Sequence, residues 1–475
     1  MANTKEAISA LVEKYQGDIV LVNDTIWEYA EAGMKETRSA AFYTDFFEKR
    51  GFKVASGVGE CPTAFVAEWG SGKPVVGFLG EFDALPTLSQ EASCAVKKPV
   101  VEGAYGQGCG HNSLGAGAAG AALAFRDYLE ENHLSGTVRF YGCPGEEYGS
   151  GKVFMARAGL FDDADICLTW HPGDMNKVTT TSSLACISAF FEFHGVSAHA
   201  AGNPHLGRSA LDAVELMNVG ANYLREHIIP EARMHYAYVN AGGIAPNVVH
   251  DYAKVHYFVR APKIRQAQEI FDRVCDIAEG AAKMTGTTMN MIFHEALCDY
   301  NPNDVLGRIM QKAFEEIGAP DFDGDDTELA AAFRKTFSKG DIEDIKTSLV
   351  MAGEDPELIP DGQILHTSVL PYVPMASKAM PGSTDVGDVS YCAPTAQFNA
   401  ATVALGTPGH SWQMTAQSCS SIANKGTATA AKVLALTAAM VIADPDIIEK
   451  ARKELVKTTG GKYVCPIPAD IKPTL

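Results

Sequence analysis

The chain lacks paired cysteine spacing, an apolar run long enough to cross a bilayer, an excess of positive charge, internal repeats and low-complexity tracts. Each absence removes a class of protein. Eleven cysteines, an odd number scattered without a common spacing, make no disulfide framework and fit a reducing compartment. The longest apolar runs, Leu114 to Phe125 and Val433 to Ala443, fall short of the roughly 20 residues that span a membrane, and no transmembrane helix is expected. The opening stretch, MANTKEAISALVEKYQ, carries charge where a signal peptide needs an apolar centre and reads as an amphipathic helix. A cytoplasmic location is the expectation. Lysine and arginine total 39 against 58 aspartates and glutamates, a formal net charge of -19. This argues against nucleic acid and anionic membrane surfaces as partners, since both would be repelled.

The remaining composition, 46% hydrophobic and 20% charged, is that of a folded chain throughout. At 475 residues it exceeds what one core usually fills, which predicts two domains. From Lys73 to Thr169 apolar strands alternate with helices: PVVGFLG, an Ala-rich helix from Leu114 to Glu130, TVRFYGC, a short helix from Lys152 to Ala158, and DICLTW. That order indicates a wound α/β sheet. Beyond Leu184 the pattern becomes β-α-β-β-α-β, the ferredoxin-like arrangement, over roughly Ala185 to Ala296. The expected fold is therefore α/β, with a mixed-sheet catalytic domain built from residues 1–184 and 297–475 and interrupted by an inserted unit at 185–296. Residues Pro320 to Tyr372 read only as a further insertion. ATVALGTPGH is expected to return to the sheet, and an Ala-rich helix follows from Thr427 to Ala443.

Residues that bind metal or move protons recur at strand ends: Asp83, the Glu146 and Glu147 pair, His171 and His410, with Cys109 and His111 in GQGCGHNSLG. Ligands of open α/β sheets bind beyond the carboxyl ends of the strands, so these residues point to one shared two-metal hydrolase centre. A thiolate and an imidazole are good zinc ligands, and the Gly-rich turn lets Cys109 and His111 reach one point. Alone they could equally be a buried structural cysteine beside a surface histidine. Adjacent Glu146 and Glu147 point in different directions, so one carboxylate can bind metal while the other acts as general base. His171 could be a satisfied core histidine, although Pro172 fixes it as extended. Asp83, in GEFDALP, could cap a loop or orient a ligand histidine; the second is favoured.

Two rival readings are weaker. Gly115, Gly117 and Gly120 match the dinucleotide fingerprint, but no strand directly precedes them and Phe140 stands where the ribose-binding acid belongs. Close helix packing explains them better. A Cys109 nucleophile backed by His111 leaves Glu147, His171 and His410 without a role.

GEFDALP, GCGHN, GEEYGSGKV, GLFDDADICLTWHPGD, GVSAHAAGNP, GGIAPNVV, VRAP, GSTDVGD and GTPGHSWQ, in this order, resemble the M20 metallopeptidases, in the amidohydrolase branch whose ligand set uses CGH. The resemblance spans essentially the whole chain. It implies two divalent metal ions per protomer, zinc or manganese, held by Cys109, His111, Glu147, His171 and His410, with Glu146 as general base. It further implies that the inserted unit is a lid that also forms a homodimer. In that lid His199 would stabilise the oxyanion in the partner protomer's site, and Asn247 and Arg260 would hold the substrate's carboxylate. The implied reaction is hydrolysis of an N-acyl amino acid or an aminobenzoyl-glutamate-like amide; a dipeptidase, or a poorly active partner of a homologous second chain, are the alternatives. Gln107 and Asn112 depart from the His and Asp common at those places, which alters the surroundings of His111.

Overall fold

The computed structural model describes residues 2–375 and 378–473. Three helices open the chain, α1 (Ala2–Lys14), α2 (Gln16–Tyr29) and α3 (Thr37–Glu48), followed by β1 (Lys53–Ser56), β2 (Phe65–Ser71) and β3 (Val75–Glu81). Next come α4 (His111–Glu131), β4 (Gly136–Cys143), α5 (Gly151–Arg157), β5 (Ile166–Gly173) and the short β6 (Lys177–Val178). β3 is buried along its whole length: Val76 and Phe78 enter one core and Leu79 the other. A strand covered on both faces needs no polar alternate positions, hence VVGFLGE.

The chain then leaves for a second sheet. After β7 (Ser182–Ser183) come β8 (Ala185–His194), β9 (Ala198–His199), α6 (Ala210–Leu224), β10 (Arg233–Asn240), β11 (Val248–Val249), β12 (Tyr252–Ala261), α7 (Ile264–Thr285) and β13 (Thr288–Leu297). Four of the strands pair antiparallel in the order β10-β12-β8-β13. β12 alternates buried and half-buried residues along its length. Its Val255, Tyr257 and Val259 share a core with Phe271 and Val274 of α7, while His256, Phe258 and Arg260 face the other way. β9 and β11, which the sequence pattern does not reveal, form a separate two-stranded ladder.

The last third contributes α8 (Asp304–Ile317), α9 (Gly324–Arg334), α10 (Lys339–Ala352), β14 (Ala379–Met380), α11 (Val386–Cys392), β15 (Thr395–Ala401), α12 (Trp412–Gln417), α13 (Ser421–Ile442) and α14 (Pro445–Thr459). The larger sheet has seven strands in the order β1-β2-β4-β3-β5-β15-β6. It is mixed: β4, β3, β5 and β15 run parallel, and β2 and β6 antiparallel to their neighbours. The fold is thus a mixed α/β architecture. α13 is long and apolar enough to cross a bilayer, but here it packs as a core helix against α4 and α8.

One expectation is corrected. ATVALGTPGH does not return to the sheet: β15 ends at Ala401, and Gly406, Pro408 and Gly409 turn the chain into a loop. His410 therefore lies nine residues past the strand, at a left-handed φ of 52°, where its N–H donates to Gly108 O at 3.0 Å. The stretch from Pro320 to Tyr372 supplies α9 and α10, whose Ala330, Phe333, Ile345 and Leu349 pack on Leu405, Ala404 and Ala416 beside that loop.

The glycines of α4 set how closely it approaches the sheet. A Cβ on Gly115 would lie 2.2 Å from Tyr43 Oη and 2.7 Å from Glu81 O, and one on Gly117 2.7 Å from Trp170 Nε1. Gly280 in α7 has nothing within 4 Å of such a Cβ. Gly115→Ala is therefore expected to destabilise by about 1–3 kcal/mol through overpacking, and Gly280→Ala to stabilise by roughly 0.5–1 kcal/mol. Urea midpoints moving in the same direction for both would contradict this packing.

Candidate active site

Five segments deliver the site. Gly110, at φ 80°, precedes α4, and a Cβ there would meet Pro172 Cγ at 2.8 Å and Met414 Cε at 2.9 Å. Glycine is thus required on both counts, and the turn sets Cys109 in the cleft and His111 on the first residue of the helix. Asp83 lies just past β3, Glu146 and Glu147 just past β4, and His171 near the end of β5. The His410 loop completes the ring.

The histidines are oriented by acceptors. His111 Nδ1 is 2.8 Å from Asp83 Oδ1, and His171 Nδ1 is 2.8 Å from Pro172 O. Each acceptor takes the Nδ1 proton in a hydrogen bond and so turns Nε2 toward the cleft. His171 Nε2 points at Cys109 Sγ, 3.5 Å away. His111 Nε2 is buried and makes no hydrogen bond, as is Glu147 Oε1, although Glu81 Oε2 lies 3.2 Å from the former and His410 Nε2 3.3 Å from the latter. Asp83 also steers the glutamate pair, accepting from Glu147 N at 2.9 Å.

Ligand atoms fall into three groups, each within 4.8 Å: Cys109, His111 and His171; Cys109, Glu147 and His410; His111, Glu146 and Glu147. Cys109 belongs to two of them, so one thiolate can serve two metal positions. Orphaned lone pairs beside a thiolate, imidazoles and carboxylates are a donor set that suits divalent ions. The electrostatics agree. Burial alone would raise the Cys109 thiol, but His111 and His171 outweigh it and hold it well below the usual range. Burial first, then Glu81 and Asp385, hold the Glu146 carboxyl well above its ordinary value.

Three further residues belong here. Lys152, fully buried, has Nζ 2.7 Å from Glu81 Oε1 and 2.5 Å from Asp385 Oδ1, and its backbone N–H donates to Asp385 at 2.9 Å. They sit inside GEFDALP, GEEYGSGKV and GSTDVGD, motifs visible in the sequence, but nothing there says that these particular charges meet. The candidate residues of the second sheet are placed differently. His199 is exposed and pairs with Val248, next to Asn247. Its Nδ1 accepts from Ala201 N at 3.2 Å and Gly202 N at 3.0 Å, which leaves Nε2 outward. Arg260 Nη1 donates to Pro381 O at 3.3 Å, and its Nε has no partner among the described residues. Among the described residues, none of the hydrogen bonds or ligand groups formed by the cluster of Cys109 and the histidines includes His199, Asn247 or Arg260.

A two-sheet α/β fold with this centre defines a class, the metal-dependent hydrolases, and comparison with known proteins places the chain within it. Residues 77–375 match peptidase family M20/M25/M40. The chain is 43% identical over 474 residues, 99% of its length and 98% of the relative's, to one of the subunits of p-aminobenzoyl-glutamate hydrolase from Escherichia coli K12. It is 29% identical to the Xaa-Arg dipeptidase of Mus musculus, over 90% of this chain and 86% of that one. In fold it is similar to the YXEP protein of Bacillus subtilis, described as a dinuclear metal binding peptidase from the M20 family, with a TM-score of 0.54 at 16% identity over 90% and 99% of the two chains. The chain belongs to the M20 family and is an enzyme that hydrolyses amide bonds with metal.

Lys152→Met would leave Glu81 and Asp385 buried without their cation. It is expected to lower stability by about 3–5 kcal/mol, and adding Asp385→Asn to recover part of the loss. A single variant as stable as wild type in denaturant titration would show that these carboxylates do not depend on Lys152.

Proposed function

We propose that the chain cleaves the amide bond of an N-acyl amino acid, or of an aminobenzoyl-glutamate-like amide with a free carboxylate. The observation that carries this reading is the shared position of Cys109 in two ligand groups, together with the relative's activity. Cys109, His111, Glu147, His171 and His410 would hold two divalent ions, zinc or manganese. When bound, such ions polarise the amide carbonyl and make water more acidic. Glu146 takes the proton of the attacking water and returns it to the departing amine, while Asp83 keeps His111 in register. Arg260 and Asn247 hold the substrate carboxylate, with Arg260 supplying a paired charge.

Residues 1–184 and 297–475 form the catalytic domain in this reading, and 185–296 a ferredoxin-like lid that also makes a homodimer. The strand order β10-β12-β8-β13 supports the first description. β10 is an edge strand with exposed Tyr236, Tyr238 and Val239, and α6 exposes Leu216, Val219 and Tyr223; an edge of this kind pairs readily across a two-fold axis. Because the Escherichia coli relative is named as one subunit of its enzyme, a homologous second chain is a further partner. Eleven unpaired cysteines support a reducing compartment, the cytoplasm.

Glu146→Gln is expected to abolish turnover of a benzoyl-amino acid while bound metal, measured by atomic emission, stays near wild type. Glu147→Gln should lose both. Equal metal loss in the two variants, or near-normal kcat in the first, would remove Glu146 as the base.

Mixing Glu146→Ala with His199→Ala under conditions of protomer exchange tests the shared site. A mixed dimer has one site with both defects and one with neither, so random exchange should restore activity to about a quarter of wild type. A mixture that stays inactive after exchange is verified by mass would place His199 outside its partner's chemistry.

A further inference from the structure

Beside the ligand cluster lies a cavity of about 290 Å³ that the hydrolytic chemistry leaves unused. Its position follows from strand register. Trp170 Nε1 donates to Leu114 O of α4, so Trp170 faces that helix and its neighbour His171 faces the opposite side of the sheet. Asn399 of β15 is paired with His171, shares its face and donates to His171 O at 3.4 Å. Asn399 also lines the cavity. One residue of the cavity wall is therefore the direct strand neighbour of a proposed metal ligand, their backbones one strand spacing, about 4.8 Å, apart.

The insertion supplies the distinctive wall. α10 is capped by Gly353, whose φ of 80° turns the chain so that Glu354 N–H donates back to Leu349 O at 2.9 Å. This brings Glu354 to the cavity, which it lines together with Lys177, Thr179 and Ser383. The Glu354 side chain is only 8% exposed, and its Oε1 stays 3.8 Å from Lys177 Nζ, beyond hydrogen-bond reach. Its Oε2 and Ser383 Oγ are both buried with no hydrogen-bond partner among the described residues. A buried carboxylate oxygen without a donor is costly, and Glu354 lines the cavity, from which a ligand can supply one. Val178 and Met380 line the cavity as well and provide apolar surface for a hydrocarbon portion.

We propose that this cavity is a specificity pocket and that Glu354 selects substrates carrying an amino group, whose N–H donors complete its coordination. The inference rests on the amide-hydrolase reading and adds the chemistry of the group that enters. An arylamine on the acyl part and an alkylammonium on the amino-acid part offer the same donors. Either one docks its N–H on Glu354 Oε2 while the scissile amide stays at the cluster beside His171.

Two matched pairs separate the sources. p-Aminobenzoyl-glutamate against benzoyl-glutamate tests the acyl end, and benzoyl-lysine against benzoyl-norleucine tests the amino-acid end. The metal-loaded enzyme is expected to favour the amino-bearing member of one pair by about tenfold or more in kcat/KM, the size of a hydrogen bond to a charged group. Glu354→Ala should bring that ratio to within about twofold of unity. The ratio does not depend on the folded fraction, and if the alanine variant fails to fold, Glu354→Gln should still reduce it. No preference in either pair, or a preference that survives substitution of Glu354, would overturn the proposal. If wild type hydrolyses none of the four, the amide-hydrolase substrate reading fails by itself. Calorimetric binding of the same compounds then decides the pocket: tighter binding of an amino-bearing member that disappears in Glu354→Ala supports it, and equal binding to wild type overturns it.

Discussion

Excess negative charge in a small, mostly buried volume is the constraint on which this structure depends. Glu81, Asp83 and Asp385 are buried, Glu146 and Glu147 are half-buried beside them, and Cys109 is poised as a thiolate. Such a gathering is stable only where each anion meets a cation or donors. Lys152 answers two of the carboxylates, and the backbone N–H of Glu147 answers Asp83. What remains uncompensated, chiefly around Cys109 and Glu147, is where the donor geometry suits divalent ions. The catalytic centre and the electrostatic need of the fold are one arrangement.

Rigid elements hold that arrangement. The strand ends of β3, β4 and β5 bring their residues to a common edge because parallel strands place corresponding residues at one level of the sheet. Close approach of α4, made possible by Gly115 and Gly117, sets His111 against Asp83 and Glu81. The least constrained member is His410. It rides on a loop, is more than half exposed, and is tied down through its backbone to Gly108. Such a loop gives its imidazole more freedom of position than the strand-borne residues have.

Around this centre the chain adds two structures of different kinds. The second sheet presents Arg260 and Phe258 on its helix-free face and leaves His199 exposed. The α9–α10 insertion packs on the catalytic side and ends at Glu354, beside the cavity next to His171. In the reading proposed above, the first addition supplies residues to a partner's chemistry and the second shapes what enters.

The sequence alone determined much of this protein. Period-two and helical patterns located the four strands and two helices of the second sheet, and β3, β4 and β5 with α4 and α5 in the first, because burial of one face imposes its period on the residues. Glycine-rich turns flanking Cys109, His111, Glu146 and Glu147 marked the site, because unusual backbone conformations demand particular residues. Tertiary structure decided the rest. ATVALGTPGH has the apolar character of a strand, and only its place after β15 shows it to be a loop. Glu81, Lys152 and Asp385 lie in three separate motifs, and a charge pair across 233 residues leaves no local pattern. Glu354 looks like any surface glutamate after a helix. Its burial against Lys177 and Ser383 arises from packing between distant segments, and a sequence read along the chain carries no signal for contacts made across it.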